Sequence, residues 1–172
     1  MQVRHESYNF TVFATSFDPI AGEPQLYEYC TAEKMRLQGC SIPGSHLRWV
    51  RMTGATFLDC DFRDTTWECV FADFALFERC CFDVAHIFES VFAGSRFIDC
   101  TFTGATADMC NFNAIVARNT DFSDASLRRS RFLNARLTGV AFVNCDLKDT
   151  FFQFSQREDV SFKHSNYEEA CY

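Results

Sequence analysis

Residues 75–104 read, in blocks of five, Ala75-Leu76-Phe77-Glu78-Arg79, Cys80-Cys81-Phe82-Asp83-Val84, Ala85-His86-Ile87-Phe88-Glu89, Ser90-Val91-Phe92-Ala93-Gly94, Ser95-Arg96-Phe97-Ile98-Asp99 and Cys100-Thr101-Phe102-Thr103-Gly104. Each block opens on a small residue and centres on a large apolar one. Extended outward, the series of centres runs from Leu37 to Tyr167 through 27 positions, and only Arg157 among them is not apolar. A helix repeats at 3.6 residues and a flat strand at 2, so neither explains a period of five. A fixed internal repeat instead signals a solenoid, whose units bury their apolar residues by stacking on one another.

Two further phases agree. Two residues before the centres stand Cys40, Ser45, Val50, Ala55, Cys60, Thr65 and then mostly Ala, Ser, Thr, Val or Cys as far as Ser165, so a small side chain also points inward. Two residues after them, Gly, Asn and Asp prevail, and six of the seven glycines fall in that phase, with only Gly22 outside it. These residues tolerate positive φ and close tight turns.

Blocks such as Ala55-Thr56-Phe57-Leu58-Asp59 and Ala125-Ser126-Leu127-Arg128-Arg129 resemble the pentapeptide repeat family, over roughly residues 35–169. The resemblance implies an all-β fold, a right-handed, four-sided parallel β-helix of about seven coils with one pentapeptide per side. Residues twenty apart should then stack, and Ile42, Phe62, Phe82, Phe102, Phe122, Phe142 and Phe162 form such a ladder. Beside it Cys40, Cys60, Cys80 and Cys100 form a column. Coils spaced at about 4.8 Å make a rod about 32 Å long.

Residues 1–34 keep the frame poorly and are expected to be an N-terminal capping segment, with a strand over residues 8–13 and a turn over residues 18–24, before a repeat domain at 35–172. The start lacks a basic stretch followed by an apolar run, and no apolar stretch reaches membrane-spanning length, so a cytoplasmic protein without membrane contact is expected. At the far end, either the last coil stacks on a second copy to give an end-to-end homodimer, or Tyr167, Tyr172 and the acidic pair cap it. The ten cysteines read as reduced packing residues, since a one-sided column suits neither relaxed disulfides nor convergent metal ligands.

Irregular positions mark where the wall is expected to deviate. Ala72, flanked by Phe71 and Phe74, suggests a core filled out of phase or a bulge. Arg157 cannot enter a Phe core unpaired, so residues 151–157 are expected to distort and present Phe151 and Phe154 as an apolar contact patch. No insertion interrupts the frame, whereas the quinolone-resistance members of the resembled family carry projecting loops.

No phosphate loop, nucleophile elbow or metal-ligand spacing is present, and His46 and His86 lie two coils apart, about 10 Å. An enzyme is therefore not expected, nor a metal or cofactor. Function is left to the surface. Residues 56–124 hold twelve acids against four arginines, while residues 125–157 hold six basic residues against two acids, in a chain of net charge −7. Asp59, Asp61, Asp64, Asp83, Asp99, Asp121 and Asp124 gather on one side of the four-sided frame and its adjoining corner. The expected role is a protein-interaction or scaffold module working through its outer faces. The alternative implied by the resemblance is a partial DNA mimic that binds a type II topoisomerase, DNA gyrase, inhibiting it or shielding it from quinolones. Duplex DNA would carry about 10 charges over the roughly 17 Å of the acidic segment. Direct nucleic-acid binding through Arg128–Arg136 is disfavoured by the overall negative charge.

Overall fold

The computed structural model describes residues 15–16, 19 and 23–171; the strand expected at residues 8–13 lies outside them, as does most of the expected turn. The chain winds as a four-sided parallel β-solenoid of about seven coils. Every paired residue lies twenty positions from its partner through the repeat region, as in His46↔Thr66, Thr66↔His86 and Phe57↔Phe77.

The first wall is centred on Tyr27, Leu47, Trp67, Ile87, Ala107, Leu127 and Leu147. Its strands Leu26–Glu28, His46–Arg48, Thr66–Glu68, His86–Phe88 and Thr106–Asp108 form one sheet in sequential order. The third wall is centred on Leu37, Phe57, Phe77, Phe97, Ala117, Leu137 and Arg157, and carries a seven-stranded sheet from Arg36–Gln38 to Gln156–Glu158. The second wall (Ala32, Met52, Ala72, Phe92, Phe112, Phe132, Phe152) and the fourth (the Ile42–Phe162 ladder) pair through single bridges such as Phe71↔Val91 and Cys81↔Thr101. The first described coil begins at Leu26, whose strand pairs with His46–Arg48, so the division expected at residues 34 and 35 falls inside that coil. Thr15–Ser16 pairs with Cys30–Thr31 ahead of it.

The core is a set of aromatic stacks. On the fourth wall successive rings from Phe62 to Phe162 sit 4.5 to 5.2 Å apart, within 27° of parallel. Phe57, Phe77 and Phe97 stack at 5.0 and 5.1 Å on the third wall, and Phe92, Phe112, Phe132 and Phe152 at 4.9 to 5.1 Å on the second. Rings from adjacent walls meet edge to face, as Phe97 meets Phe102 at 5.4 Å and 72°. Each ring thus gains both favourable aromatic geometries at once.

The small inward position does more than save space. Its hydroxyl or thiol donates to the carbonyl of a centre one coil earlier: Ser95 to Ala72 at 2.6 Å, Ser130 to Ala107 at 2.6 Å, Thr150 to Leu127 at 2.7 Å, Cys100 to Phe77 at 3.4 Å. Serines there also accept from the backbone, as Ser90 does from the Val70 N–H at 3.1 Å. Small polar side chains are therefore coil-to-coil bridges, and all ten cysteines are free thiols. Burial pushes the Cys110 thiol up to about 12 and the Cys145 thiol up to about 11.

At the corners the backbone turns left-handed. All 28 corner residues from Tyr29 to His164 have positive φ, 22 of them not glycine. The corner N–H donates to the next coil, as Asp59 does to the Glu78 carbonyl at 2.9 Å. Corners leaving the second and fourth walls add a β-turn bond, such as Ala55 N–H to the Met52 carbonyl at 2.9 Å.

Both irregular positions differ from the expectation of a bulge. Ala72 is fully buried in register, and Trp67, the largest core side chain, fills the space beside it against Phe82 and Phe92 at 5.5 and 5.9 Å. The Trp67 indole N–H donates to Thr65 Oγ at 2.8 Å, whose hydroxyl donates to the Phe62 carbonyl at 2.5 Å. Arg157 stays paired in register with Leu137 in the last described coil, with its side chain exposed rather than inside the Phe core. Its guanidinium lies over the Tyr167 ring and donates to the Tyr167 hydroxyl, and Tyr167 stacks on Phe162 at 4.2 Å. A 3-10 turn over Tyr167–Glu169 follows.

Two outcomes follow from this core. Phe102→Ala, between rings at 4.5 and 4.6 Å, lowers the urea-unfolding free energy by about 3–5 kcal/mol. The Cys110 and Cys145 thiols are neutral in the folded chain but ionise near pH 9 when it unfolds. Their contribution is therefore complete below pH 9 and is lost as pH rises toward 11–12. Urea titrations at pH 8 and pH 10 should differ by about 1 kcal/mol per thiol, a difference that shrinks in Cys110→Ser.

Candidate functional site

Only outward side chains and corners are available for recognition, and the four walls present different chemistry. On the fourth wall and both corners that bound it lie the seven predicted acidic residues. Asp61, Asp83 and Asp121 sit on the wall itself, Asp59 and Asp99 on one corner, Asp64 and Asp124 on the other.

Most of these carboxylates have local work. Asp61 takes two hydrogen bonds from Arg63, at 2.9 and 2.7 Å, and Asp59 takes two from Arg79, at 2.6 and 3.1 Å. Each guanidinium holds its partner's carboxyl below the usual range. Asp121 accepts from the Ser123 N–H at 2.8 Å and its hydroxyl at 2.5 Å, and Asp83 from the Thr103 N–H one coil on at 2.9 Å. Asp99 and Asp124 accept from Asn119 and Asn144 at 3.0 and 2.6 Å. Seven carboxylates thus share the surface with two guanidiniums, about half the roughly 10 charges of duplex DNA over that length.

The basic segment predicted at residues 125–157 does not form one patch. Arg128 lies 3.6 Å from Asp146 and Arg129 lies 3.8 Å from Asp149, while Arg131 faces outward on a different wall, in the Asn111–Phe151 ladder.

The second wall is the apolar one. Of the nine exposed large hydrophobic residues among the described residues, six lie on it or on its two bounding corners. Tyr29, Trp49 and Met109 stand on the corner from the first wall, Phe71 on the wall, and Phe74 and Phe154 on the corner to the third. Phe154 is 84% exposed and Phe74 72%; Phe151 is half-buried in its ladder between Arg131 and Cys171. The Phe74 ring lies over the bare Cα of Gly94, so close that a Cβ there would meet Cε1 at 2.6 Å. Burial raises the Asp73 carboxyl on this wall, and four coils along it the Gln153 Oε1 is buried without a hydrogen-bond partner.

The predicted pair Phe151 and Phe154 therefore belongs, with Phe71 and Phe74, to a longer surface that also takes in Tyr29, Trp49 and Met109, which the linear sequence does not single out. Their signal was present in the corner phase, where a bulky side chain stands in place of Gly, Asn or Asp.

No helix among the described residues is long and apolar enough to cross a membrane. Comparison with curated proteins returns no match. Among solved structures, the chain is similar to the pentapeptide repeat protein Rfr23 from the cyanobacterium Cyanothece 51142, at 13% identity and a TM-score of 0.37, covering 59% of this chain and 63% of that one. It is also similar to QnrB1, a plasmid-mediated fluoroquinolone resistance protein, at 14% identity and a TM-score of 0.40, covering 86% and 94%. A pentapeptide repeat protein from the Arabidopsis thaliana thylakoid lumen matches at 23% identity and a TM-score of 0.26, covering 62% and 57%. The family model described as Pentapeptide repeats matches residues 36–66 and 118–153 in eight copies. The same five-residue frame and twenty-residue pairing run unbroken between and beyond those segments, and the chain belongs to the pentapeptide repeat family.

Proposed function

We propose that this protein is a non-catalytic interaction module that binds a protein partner along its second wall, with Phe74 and Phe154 as anchors. The supporting observation is where the exposed aromatics stand. Tyr29, Trp49, Phe74 and Phe154 occupy corners with φ between 52° and 60°. A left-handed backbone costs a side chain with a Cβ roughly 1–2 kcal/mol, and exposed rings add apolar surface open to water. Glycine or asparagine would relieve both costs, as Gly54, Gly94 and Asn134 do in the Phe74–Phe154 column. Side chains kept against such a cost, clustered along one wall, have the composition of an interface centre, where aromatic anchors dominate.

A second reading rests on the fourth wall. Its rod shape and excess of carboxylates support a partial DNA mimic directed at a type II topoisomerase, with Asp64, Asp83, Asp99, Asp121 and Asp124, which no arginine among the described residues neutralises, carrying more of the field than the arginine-paired Asp59 and Asp61.

Photo-crosslinking separates the two. With a benzophenone side chain at position 74 or 154, one and the same protein is captured in the source cell, and not from position 103 on the fourth wall. Capture from position 103 alone would overturn the second-wall reading. Inhibition of supercoiling by DNA gyrase, lost when Asp83 and Asp99 are both changed to Lys, would establish the mimic instead. The anchors also carry a stability signature: Phe154→Asn raises the unfolding free energy by about 1 kcal/mol while weakening partner capture, a trade expected of a residue retained for binding.

A further inference from the structure

The third wall holds a cluster that neither reading uses. Arg96 and Arg136 occupy the same outward column two coils apart, each in register with Val116 between them. Arg118 stands in the neighbouring column, in register with Ile98 on one side and Thr138 on the other, and Arg157 lies one coil beyond Leu137. All four line one shallow, open depression of about 370 Å³, with the Thr138 hydroxyl at hand and Glu158 as its one acidic member. Coils about 4.8 Å apart set the Arg96 and Arg136 backbones only about 10 Å apart, within the combined reach of two guanidinium side chains.

These arginines lack the carboxylate company that five others keep. Arg48, Arg63, Arg79, Arg128 and Arg129 each have a carboxylate within 3.8 Å. Among the described residues no ion pair or side-chain hydrogen bond holds Arg96, Arg118 or Arg136. Arg157 bonds the Tyr167 hydroxyl, which leaves its charge uncompensated. Four positive charges crowded around a single carboxylate, Glu158, raise the energy of the folded rod, and a bound anion recovers it.

The boundaries of the cluster limit what that anion can be. In the Arg118 column Glu78 stands two coils to one side and Glu158 two coils to the other. An extended polyanion lying along the wall would meet both carboxylates, whereas a compact one seated among Arg96, Arg118 and Arg136 would have only Glu158 beside it. Guanidinium forks match the oxygens of a phosphoryl group in paired hydrogen bonds, and several forks converging on one depression match several such groups in series.

We propose that Arg96, Arg118 and Arg136, with Arg157 at the end of the rod, form a binding site for a compact oligophosphate anion, a di- or triphosphate group. The group could arrive free or as part of a nucleotide, and the chemistry recognised is the same.

The test is calorimetric titration of the full chain with inorganic triphosphate at physiological salt, alongside ATP and inorganic sulfate, with thermal melting as a second readout. Triphosphate is expected to bind and raise Tm, sulfate to bind far more weakly, and Arg118→Ala or Arg96→Ala to weaken triphosphate by about tenfold each. Arg36→Ala, in the same column as Arg96 but three coils away, should leave binding unchanged. All three residues face solvent, and an unchanged urea midpoint verifies that the variants fold. ATP binding as tightly as triphosphate identifies the phosphate chain as the whole ligand; tighter ATP binding, still lost in Arg118→Ala, identifies a nucleotide. Absence of a Tm shift at millimolar triphosphate, or equal weakening by Arg36→Ala, overturns the site. So would duplex DNA that outcompetes triphosphate and loses affinity in the same variants, which would make the cluster a nucleic-acid contact. A salt-sensitive dimer in sedimentation that dissociates in Arg118→Ala would likewise overturn it, assigning the arginines to the acidic wall of a second copy.

Discussion

Everything in this molecule depends on one stacking constraint: a core side chain is sandwiched between the residue twenty positions before it and the residue twenty positions after, with rings of the adjacent walls against its edge. Phe82 lies between Phe62 and Phe102, and nothing else in the chain could replace either contact without breaking the backbone pairing that accompanies it. Each unit is stable by virtue of its neighbours alone. The constraint reaches the corners, since four turns per coil keep the register only if every fifth residue adopts positive φ. Glycine meets that demand at six corners, and at the other 22 the stacked core and the inter-coil hydrogen bonds hold an L side chain in a conformation it would otherwise avoid.

Because the inside is so fully prescribed, chemistry is divided among the walls rather than along the chain. The fourth wall collects carboxylates, many of which cap turns or bond to the next coil. The second wall and its corners collect exposed rings. The third collects arginines without carboxylate partners. Consecutive outward residues belong to the same wall only within a pentapeptide, so a surface is assembled from residues some twenty apart and each coil contributes one or two groups to it. Such a rod can present separate surfaces at angles to one another without any internal cavity.

How much of this the sequence discloses follows from the same geometry. The five-residue frame alone predicts the centres, the inward small positions and the Phe ladder, because burial acts on every repeat in the same way. The frame also carried the means to place the start of the described coils: Tyr27 and Ala32 are in phase, but Tyr29 and Lys34 stand at corners where glycine or asparagine would have flagged the turn, so the first coil was obscured. Ala72 suggested a bulge because a five-residue view does not show that Trp67, in the preceding block, reaches across to Phe92. Arg157 suggested a distortion because the frame does not show that a centre can stay in register with its side chain turned out to solvent, over the Tyr167 ring. Surface charge was the least legible. Counting acids and bases in consecutive segments mixes all four walls, which hid Arg96 and Arg118 within an acidic stretch and joined Arg128, Arg129 and Arg131 into a cluster that the coils divide between ion pairs and a different wall.

Residue-resolved amide hydrogen exchange tests the central claim most directly, that coil-to-coil stacking holds corners and strands as one cooperative unit. In the middle coils the corner amides of Val84, Gly94 and Gly104, which donate to the carbonyls of Thr103, Asn113 and Ser123, should be protected as strongly as the strand amides of Phe97 and Ala107 beside them. Protection should then decline coil by coil toward both ends. Corner amides exchanging fast while strand centres stay protected would contradict it, because the turns would then be loops hung on separate sheets rather than parts of a single stacked coil.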